Sequence, residues 1–456
     1  MQGYWHLVPE ALVLSGALLA LFGEFLPGRD RGTALIGAVL AAIAGVLVVV
    51  QGSGDPFLGG MLQPDAQAAF IRAGAAGVTA LWLLWLSGRG MSGERSRDAV
   101  ALAMFSASGG MLMAMSADLI TLYMALELST MPAYVLMGYR RGDERGLEGA
   151  LKYFLLSLLT SLIMLYGLSF VYGISGTTLF SEISLAGSGA LGAVAALLVL
   201  AGLFAKMSAA PFHFWAPDAY AGAPAASVAF VSTVPKIAGT AAMVRLIAML
   251  APGVEGLATV IAIVAAASML LGNLAALPQG DMRRLMAYSG VAHSGYLVMA
   301  FAAGTPLGYH AAIFYAVAYA VPSLAIMLVV AEEGDRLDDL GGLAARRPWV
   351  AWGMVVWLLS LIGIPPLAGF FGKLYLFSAA IDAAWYWLVV VALIASVISA
   401  GYYFRLIHAM FSGTRENPPA EETAPTPAAS LALMLAAVAT VAVGVAAGPL
   451  LGFLGL

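Results

Sequence analysis

The stretch LFAKMSAAPFHFWAPDAYAGAP, residues 203–224, places a lysine, a histidine, an aspartate and three prolines within an apolar region. A proline removes one backbone donor and clashes with the preceding helical turn. If the region lies in a membrane, the freed backbone groups are tolerated only where protein or water satisfies them. The stretch therefore predicts a membrane helix that is interrupted beside a polar interior.

The composition of the whole chain supports a membrane location. The 456 residues are 62% hydrophobic and 10% charged, whereas soluble domains carry about 25% charged residues. Runs of about 20 apolar residues recur, and each is long enough to cross a hydrocarbon core of ~30 Å. Because the chain has no cysteine, disulfides, thiolate metal sites and iron–sulfur clusters are excluded.

The hydropathy pattern predicts an all-α integral membrane protein with fourteen spans. The first apolar run lacks a preceding basic region, so we interpret it as a spanning helix and not as a cleaved signal peptide. Only the seventh and twelfth spans are much longer than a membrane requires. The spans are 6–26, 32–51, 67–87, 99–116, 118–139, 147–173, 189–222, 224–250, 256–277, 284–303, 307–331, 349–380, 384–411 and 428–454.

The arginines predict the orientation of these spans. Fifteen arginines lie in loops that follow odd-numbered spans, and only Arg72 and Arg245 lie on the opposite face. Cytoplasmic loops carry the excess of basic residues in membrane proteins. The arginine-rich loops are therefore expected to face the cytoplasm, with both termini on the outer side.

The lysines follow the opposite rule, since all four fall inside predicted spans: Lys152, Lys206, Lys236 and Lys373. A cation at the centre of a membrane helix costs about 2.5–3.5 kcal/mol on insertion scales. The set therefore costs on the order of 10 kcal/mol before any pairing. Such a cost indicates that the lysines are kept for a function.

Two interrupted spans suggest an internal repeat. The seventh span contains Pro211 and Pro217, and the twelfth contains Pro365 and Pro366. These spans are five apart, so helices 4–8 and 9–13 are predicted to be two copies of one unit, inverted because five is odd. The predicted segments are 1–98 (helices 1–3), 99–250 (first repeat), 251–411 (second repeat) and 412–456 (a loop and helix 14).

Ionisable residues at mid-span predict a proton relay near the midplane. Burial disfavours the charged form of lysine and glutamate, whereas a nearby opposite charge favours it. Histidine titrates near neutral pH and transfers protons readily. The candidate residues are Glu127, Lys206, Lys236 and Lys373, with Lys152, His213 and His293 as further relay or proton-uptake positions.

Structural interpretations of the same residues remain open. Lys206 and Glu127 form a structural ion pair in one of them, and Lys152 extends to the cytoplasmic surface. His213 satisfies backbone carbonyls freed at the break, and His293 is a packed helix histidine.

Other charged residues are expected to have structural positions. Asp218 is expected to cap the second half of the broken seventh helix. The run 331–348 is expected to be a solvated loop that docks to a neighbour. Residues near span ends are expected to be interfacial: His6, Glu10, Glu24, His310 and His408.

Three motifs resemble the antiporter-like membrane subunits of respiratory complex I. They are KMSAAPFHFWAPDAYAGAPAASVAFVSTVPK (206–236), MALELSTMPAYVL (124–136) and GIPPLAGFFGKLYLF (363–377). The resemblance covers nearly the whole chain, helices 1–3 being its least diagnostic part. The DAYAGAP and AFVSTVPK forms, the LVPE at 7–10 and the end after fourteen helices favour one of the family's three paralogues. That paralogue is neither the middle one, which usually has glutamate where this chain has Lys373, nor the most distal one.

The resemblance implies proton translocation driven by quinone reduction in other subunits. It implies that Glu127 and Lys206 are a coupled pair, Lys236 the central relay and Lys373 the exit-side lysine. Lys152 and His213 also match family positions.

The resemblance further implies a set of partners and a location. This chain would hold no cofactor, while partner subunits carry FMN and iron–sulfur clusters and bind quinone. The partners would be a neighbouring antiporter-like subunit, small membrane subunits, the lateral helix of the distal paralogue and lipids, with no nucleic acid. The location would be a bacterial inner membrane.

Other functions remain open at this point. One is a subunit of a multi-subunit Na⁺/H⁺ antiporter or of a related membrane-bound hydrogenase-type complex. Another is a quinone-site or purely architectural subunit.

Overall fold

The computed structural model describes residues 2–22, 30–91, 96–140, 142–412 and 426–455, and these residues are mainly helical. They contain isolated β-bridges but no strand. The all-α class predicted from the hydropathy pattern is confirmed.

The helices follow one another along the whole chain. The N-terminal part has a short 3-10 helix at Gln2–Leu7, then α1 (Val8–Phe22), α2 (Asp30–Gln51) and α3 (Ala66–Arg89). Next come α4 (Ser96–Met115), α5 (Leu119–Met137), α6 (Glu144–Ser175), α7 (Gly189–Lys206), α8 (Trp215–Gly222), α9 (Ala225–Val231) and α10 (Val234–Leu250). They are followed by α11 (Leu257–Ala276), α12 (Met282–Ala303), α13 (Pro306–Glu333), α14 (Leu343–Arg346), α15 (Pro348–Ile362), α16 (Ala368–Asp382) and α17 (Tyr386–Ser412). The last helices are α18 (Pro427–Val445) and α19 (Ala447–Leu454).

The predicted spans agree with these helices. Among the described residues, 13 helical segments are long and apolar enough to cross a membrane, and each coincides with one predicted span. The twelfth span is the exception, because it consists of the shorter helices α15 and α16. The chain is thus a multi-pass membrane protein.

Both predicted interruptions are present, and the structure adds two more. The eighth span, expected to be continuous, breaks between α9 and α10, and the fourteenth breaks between α18 and α19. A proline cannot donate to the carbonyl four residues earlier. For Pro235 that residue is Val231, the last of α9, and for Pro449 it is Val445, the last of α18. The prediction of unbroken eighth and fourteenth helices was wrong for this reason.

The order of elements is similar in the two predicted repeats. In each, three uninterrupted helices precede a broken one: α4 to α6 before α7 and α8, and α11 to α13 before α15 and α16. This order is what two copies of one unit would give. The repeat boundaries at 99, 251 and 412 remain predictions.

Small residues allow the helices to pack closely. A Cβ added at Gly272 would lie 2.5 Å from the backbone nitrogen of Ala292, and one added at Gly295 would lie 2.7 Å from that of Met269. Helices α11 and α12 therefore cross with their backbones in contact, as small residues permit within membranes. Helix α13 packs against α3, α9, α10, α12, α15, α16 and α18 and is almost entirely buried.

Charged pairs join the ends of the helices. Glu10, in the first turn of α1, is buried and pairs with Arg72 at 2.7 Å. Its expected position at the membrane interface stays a prediction. Asp65 pairs with Arg245, also at 2.7 Å. Both pairs join residues that the arginine distribution assigns to the same face. A buried ion pair is tolerated where hydrogen bonds complete it, and Arg72 also donates to the carbonyl of His6.

The run 331–348 is solvated only in its middle, around Arg336 and Asp338, and its first acids are buried. Glu332 accepts from Arg89 of α3 at 2.9 Å and from Arg347 at 2.6 Å, and its side chain is 2% exposed. Glu333 pairs with Arg346 and Arg347, both at 2.9 Å. The run folds back on the helix ends because its acids meet arginines from α3 and from its own second half.

Candidate functional site

Lys206 is the last residue of α7, at the first break. Its Nζ donates to the hydroxyl of Tyr134 at 2.9 Å and to Oγ1 of Thr130 at 3.4 Å, both on α5. The final carbonyls of a helix have no intrahelical donor and carry partial negative charge. The break thus places the ammonium at a helix end that favours a cation.

Glu127 lies close to this lysine but does not pair with it. Within the described chain no ion pair of 4 Å or less joins them; instead Thr130 Oγ1 lies 3.5 Å from Glu127 Oε2 and also accepts from Lys206. Glu127 Oε1 is buried without a hydrogen-bond partner. The geometry does not support a purely structural Glu127–Lys206 ion pair, and it leaves a hydroxyl between the two charges.

A small cavity connects Lys206 with the start of α10. It is lined by Lys206, Ser129, Tyr153, Pro235 and Gly239, among others, and has a volume of about 10 Å³. One water requires ~10–15 Å³ and two to four polar partners. The hydroxyl of Ser129 is buried and bonds to no protein group among the described residues. The cavity is therefore of the size and polarity that a single bridging water uses.

Lys236 follows the second break, in the first turn of α10. Its Nζ donates to the carbonyl of Gly290 on α12 at 2.8 Å and lies 5.2 Å from the ring centroid of Tyr319. A Cβ at position 290 would lie 3.2 Å from that Nζ. Glycine at this position is thus what lets the ammonium reach the α12 backbone.

His293 lies one turn after Gly290 on α12 and holds two tyrosines. Its Nδ1 is 2.6 Å from the Tyr315 hydroxyl, and its Nε2 is 3.1 Å from the Tyr403 hydroxyl. Tyr403 is also 2.6 Å from the hydroxyl of Ser289. In a neutral imidazole one nitrogen donates and the other accepts, so the group connects hydroxyls on both sides. Both the relay and the packed-histidine interpretation of His293 are compatible with these contacts.

Lys373 is bound at the break of the twelfth span. Its Nζ donates to the carbonyl of Ile362, the last residue of α15, at 2.9 Å and to Oγ of Ser396 at 2.9 Å. It also lies 4.6 Å from the ring centroid of Tyr296. As with Lys206, a broken helix supplies a C-terminal end where a cation is favoured.

The three buried lysines share one kind of environment. Lys206, Lys236 and Lys373 are each at most 9% exposed. Each ammonium has neutral oxygen acceptors and a tyrosine ring, and none makes an ion pair with a carboxylate of the described chain. An unpaired buried carboxylate costs several kcal/mol. Because these lysines have no carboxylate partner, the loss of a proton from one of them does not create such a carboxylate. The arrangement can therefore exchange protons without breaking a buried ion pair.

His213 lies in the segment between α7 and α8. It is buried, and its Nδ1 has no hydrogen-bond partner in the described chain. Backbone groups at this break are satisfied by serines of the second half, since Ser268 Oγ accepts from Ala210 N at 2.8 Å and Ser294 donates to the carbonyl of Met207. Closing the break does not depend on the Nδ1 atom of His213.

Lys152 is not brought together with the buried lysines. Its side chain is 45% exposed and pairs with Glu148 at 2.8 Å and with Asp218 at 3.4 Å. This geometry favours the surface interpretation of Lys152. We expected Asp218 to cap α8, but its side chain makes no capping hydrogen bond there. It pairs instead with Lys152 and, at 3.5 Å, with Arg284.

The sequence reasoning missed the tyrosines. They surround the buried lysines and His293: Tyr134, Tyr153, Tyr296, Tyr315, Tyr319 and Tyr403. One signal was available. Placing GALKY (149–153) over AAIFY (311–315), the faint similarity between the repeats, matches Tyr153 beside Lys206 with Tyr315 beside His293.

Comparison with known proteins places this geometry in a family. The model of the family described as "NADH:quinone oxidoreductase/Mrp antiporter, TM" matches residues 116–399. A protein of Solidesulfovibrio magneticus named NADH-quinone oxidoreductase subunit N 2 is 38% identical over 91% of this chain and 90% of its own length. The subunit N of Parvibaculum lavamentivorans is 37% identical over 90% and 88%.

Solved structures show the same fold. A chain of respiratory complex I from Thermus thermophilus superposes with a TM-score of 0.83 at 32% identity, covering 97% of this chain and 98% of that one. A chain of the Mrp complex from Dietzia superposes with a TM-score of 0.87 over 100% and 96%, at 23% identity. The Mrp likeness shows a common fold only.

Proposed function

The chain belongs to the subunit N family of NADH–quinone oxidoreductases, and from this membership we propose that it translocates protons in the membrane arm of complex I. The observation that carries the proposal is the set of three buried lysines with neutral hydrogen-bond partners, and tyrosine rings lie beside both these lysines and His293. The quinone chemistry that drives the process belongs to other subunits, which carry the FMN and iron–sulfur clusters. The chain itself performs no redox step in this proposal.

The proposed path begins at Glu127. A proton passes by way of Thr130 to Lys206, whose ammonium lies within hydrogen-bonding distance of the Thr130 hydroxyl. The small cavity beside Ser129 and Pro235 supports a water bridge from Lys206 toward Lys236. Hydroxyl groups between charged groups suit such a relay because each both donates and accepts.

The second half of the path passes through His293. Lys236 donates to the carbonyl of Gly290, one turn before His293. The ring of Tyr319 lies beside both Lys236 and His293: its centroid is 5.2 Å from Lys236 Nζ and 4.8 Å from the centroid of the imidazole ring. Tyr296 likewise contacts both His293 and Lys373. We assign Lys373 as the exit-side lysine. His213 remains a candidate for proton uptake, and Lys152 a candidate at the cytoplasmic surface.

One charge-pair contact supplies part of the energy that this scheme requires. Moving one charge against about 150 mV costs roughly 3.5 kcal/mol. A pair of charges brought to ~4 Å interacts by about 4 kcal/mol at an effective dielectric constant near 20. The Thr130 hydroxyl lies 3.5 Å from Glu127 Oε2 and 3.4 Å from Lys206 Nζ. Bringing two charges from ~7 Å into direct contact at this dielectric constant changes the energy by about 2 kcal/mol, roughly half of the required amount.

We place the protein in a bacterial inner membrane with its termini outside. The pairing of Arg89 with Glu332 and of Arg283 with Asp335 joins loops of the arginine-rich face and supports placing these loops on one side of the membrane; the choice of the cytoplasmic side rests on the arginine distribution. The proposed partners are the neighbouring antiporter-like subunit, small membrane subunits, the lateral helix of the distal paralogue and lipids.

Substitution of the first pair tests the function. In the assembled complex, Lys206→Ala and Glu127→Ala should each slow proton transfer through this chain by about 10²-fold, the effect of removing a proton-transferring group. The protons pumped per NADH oxidised should then fall by the share that this chain contributes. Pumping is followed with a pH-sensitive dye in inverted vesicles, and native gels confirm assembly. Arg336→Ala, at an exposed arginine that has no part in the proposed path, is the control and should leave pumping unchanged. Unchanged pumping in an assembled Lys206→Ala complex contradicts the proposal.

A Na⁺/H⁺ antiporter function is the second candidate, because the matching family model includes Mrp antiporters. The isolated full chain, reconstituted into vesicles, distinguishes the two. Proton exchange driven by a sodium gradient would favour the antiporter. Its absence, together with pumping by the whole complex, would favour the first proposal.

A further inference from the structure

A second polar site lies at the arginine-rich end of the helices. It is a cavity of about 520 Å³, and none of the four lysines lines it. Four arginines do so: Arg31, Arg89, Arg140 and Arg283. All four belong to the set of fifteen that the arginine distribution assigns to the cytoplasmic face.

Two of these arginines are already neutralised. Arg89 pairs with Glu332 at 2.9 Å, and Arg283 pairs with Asp335 at 3.2 Å and with Asp281 at 3.3 Å. The carboxylates of Glu332 and Asp335 are thus already paired with Arg89 and Arg283. Glu332 also pairs with Arg347, which does not line the cavity.

The other two arginines retain their charge. Arg31, in the first turn of α2, and Arg140, just after α5, are exposed and make no ion pair with any described residue. The remaining acid of the wall, Asp143, accepts from the backbone nitrogen of Gly146 as the N-cap of α6. Asp143 keeps its negative charge, and Arg140 also interacts with Asp335. The four arginines and three acids of the lining therefore leave one net positive charge, on the side of Arg31 and Arg140.

The acid at the floor of the cavity contributes little to oppose an anion. Burial raises the pKa of Asp335, against the pull of the neighbouring Arg283. The carboxylate of Asp335 pairs with Arg283 at 3.2 Å, so the negative charge of this acid lies against a guanidinium group of the same cavity.

The cavity is also lined by apolar residues. Trp85 and Gly88 of α3, Ala225 and Ala226 of α9, and Ala331 of α13 line it. A charged rim above an apolar wall matches an amphipathic molecule with an anionic head. The cavity also joins elements from the N-terminal helices, from both predicted repeats and from α18.

We propose that this cavity binds a phosphate-bearing anion through Arg31 and Arg140. Guanidinium groups bind phosphate through paired hydrogen bonds, and basic pockets between membrane helices on the cytoplasmic side bind the headgroups of anionic lipids. The volume lies within the ~300–1,000 Å³ typical of ligand pockets. The two sources of this chemistry are the headgroup of an anionic phospholipid and free phosphate. The site is independent of the proton path proposed above.

Binding by the full chain tests the site. The delipidated chain in neutral detergent is titrated with short-chain phosphatidylglycerol, short-chain phosphatidylcholine and inorganic phosphate, with calorimetry as the readout. Phosphatidylglycerol should bind at least tenfold more tightly than phosphatidylcholine. The double variant Arg31→Gln/Arg140→Gln should weaken its binding by at least tenfold.

Arg336→Gln is the matched control, because Arg336 belongs to the same face, is 77% exposed and does not line the cavity. It should bind like the unchanged chain. Inorganic phosphate that binds and competes identifies a free anion as a sufficient ligand, whereas lipid binding without phosphate binding identifies the headgroup with its chains. Both results support the site. Equal affinity in the double variant and the unchanged chain, or no preference for phosphatidylglycerol, overturns it. Circular dichroism of the variant excludes misfolding as the cause of lost binding.

Discussion

A lysine ammonium without a carboxylate partner is the unit from which the site is built. The sequence predicted which lysines lie at membrane depth, because a cation in an apolar run is visible locally. It did not predict their acceptors, since Gly290 is 54 residues from Lys236 and Ile362 reaches Lys373 only because the helix between them is broken. The tyrosines were missed because an aromatic residue in an apolar span looks like ordinary core.

Tyr403→Phe tests the link through the histidine. The change removes the hydroxyl that contacts both His293 and Ser289 while it preserves the ring. We expect proton pumping by the assembled complex to fall roughly tenfold, less than the loss of a proton-transferring residue costs. Dye quenching in vesicles measures it. Tyr375→Phe is the control, because the Tyr375 hydroxyl makes no hydrogen bond within the described residues, and pumping at the same reduced rate in both variants would contradict the link.

Gly290→Ala tests the position of the central lysine. The new methyl group would lie 3.2 Å from Lys236 Nζ and from the Tyr319 hydroxyl, so the ammonium has to move by a few tenths of an ångström. Pumping should fall by about tenfold or less, while thermal unfolding shows no loss of stability because alanine favours a helix over glycine. The control is Gly77→Ala, where a Cβ meets nothing within 4 Å. Normal pumping in Gly290→Ala would argue against the lysine geometry.

The positions of the prolines determine where the membrane helices are interrupted. The breaks of the seventh and twelfth spans were predicted because their prolines lie in unusually long spans. Those beside Pro235 and Pro449 were missed, since the surrounding apolar runs have the length of one span and hydropathy alone does not register a lost hydrogen bond. The backbone groups freed at the first break are hydrogen-bonded by polar side chains of other helices, Ser268 on α11 and Ser294 on α12.

Ser268→Ala tests how the first break is stabilised. It leaves the buried backbone nitrogen of Ala210 without its acceptor at 2.8 Å. We expect a loss of about 1–3 kcal/mol in the free energy of unfolding, measured by denaturation of the full chain in detergent. Ser169→Ala, at an exposed serine that bonds only to its own helix, should change stability very little. Equal stabilities of the two variants would show that the break does not need Ser268.

At the scale of the molecule, charges that are distant in sequence hold the helix ends together. The run 331–348 was expected to be solvated because its acids and bases alternate, a pattern typical of exposed loops. In the structure its acids bind Arg89 of α3, about 240 residues away. No local pattern reveals such a partner. The same limit applies to the cavity around Arg31 and Arg140, whose walls come from five helices and from the segments between them.

Arg347→Ala tests this cluster. It should lower the free energy of unfolding by about 3 kcal/mol, because buried carboxylates lose a partner. Burial opposes the charge of Arg347, but the hydrogen bonds and charges of Glu332 and Glu333 outweigh it and raise the pKa of Arg347. Because the pKa of Arg347 is raised in the folded protein, the pairing of its guanidinium group stabilises the fold fully at every pH below the ordinary arginine pKa. The loss of stability in Arg347→Ala should therefore be constant between about pH 6 and pH 9.

The control for the cluster is Arg336→Ala. Arg336 is exposed and its contact with Asp338 is 3.8 Å long, so its loss should cost well under ~1 kcal/mol. Thermal unfolding of the full chain at several pH values measures both variants. A pH-dependent loss in Arg347→Ala, or a loss no larger than that of Arg336→Ala, would contradict a buried arginine cluster.

The central claim is that protons pass along Lys206, Lys236, His293 and Lys373, and the position of water tests it most directly. A cryo-EM map of the assembled complex that shows ordered solvent is the measurement. The account predicts water in the cavity that Lys206, Ser129 and Pro235 line, further water from this cavity to Lys236, and hydrogen-bonded groups continuing through His293 toward Lys373. Dry apolar packing between Lys206 and Lys236, with no solvent in contact with either ammonium, would contradict it.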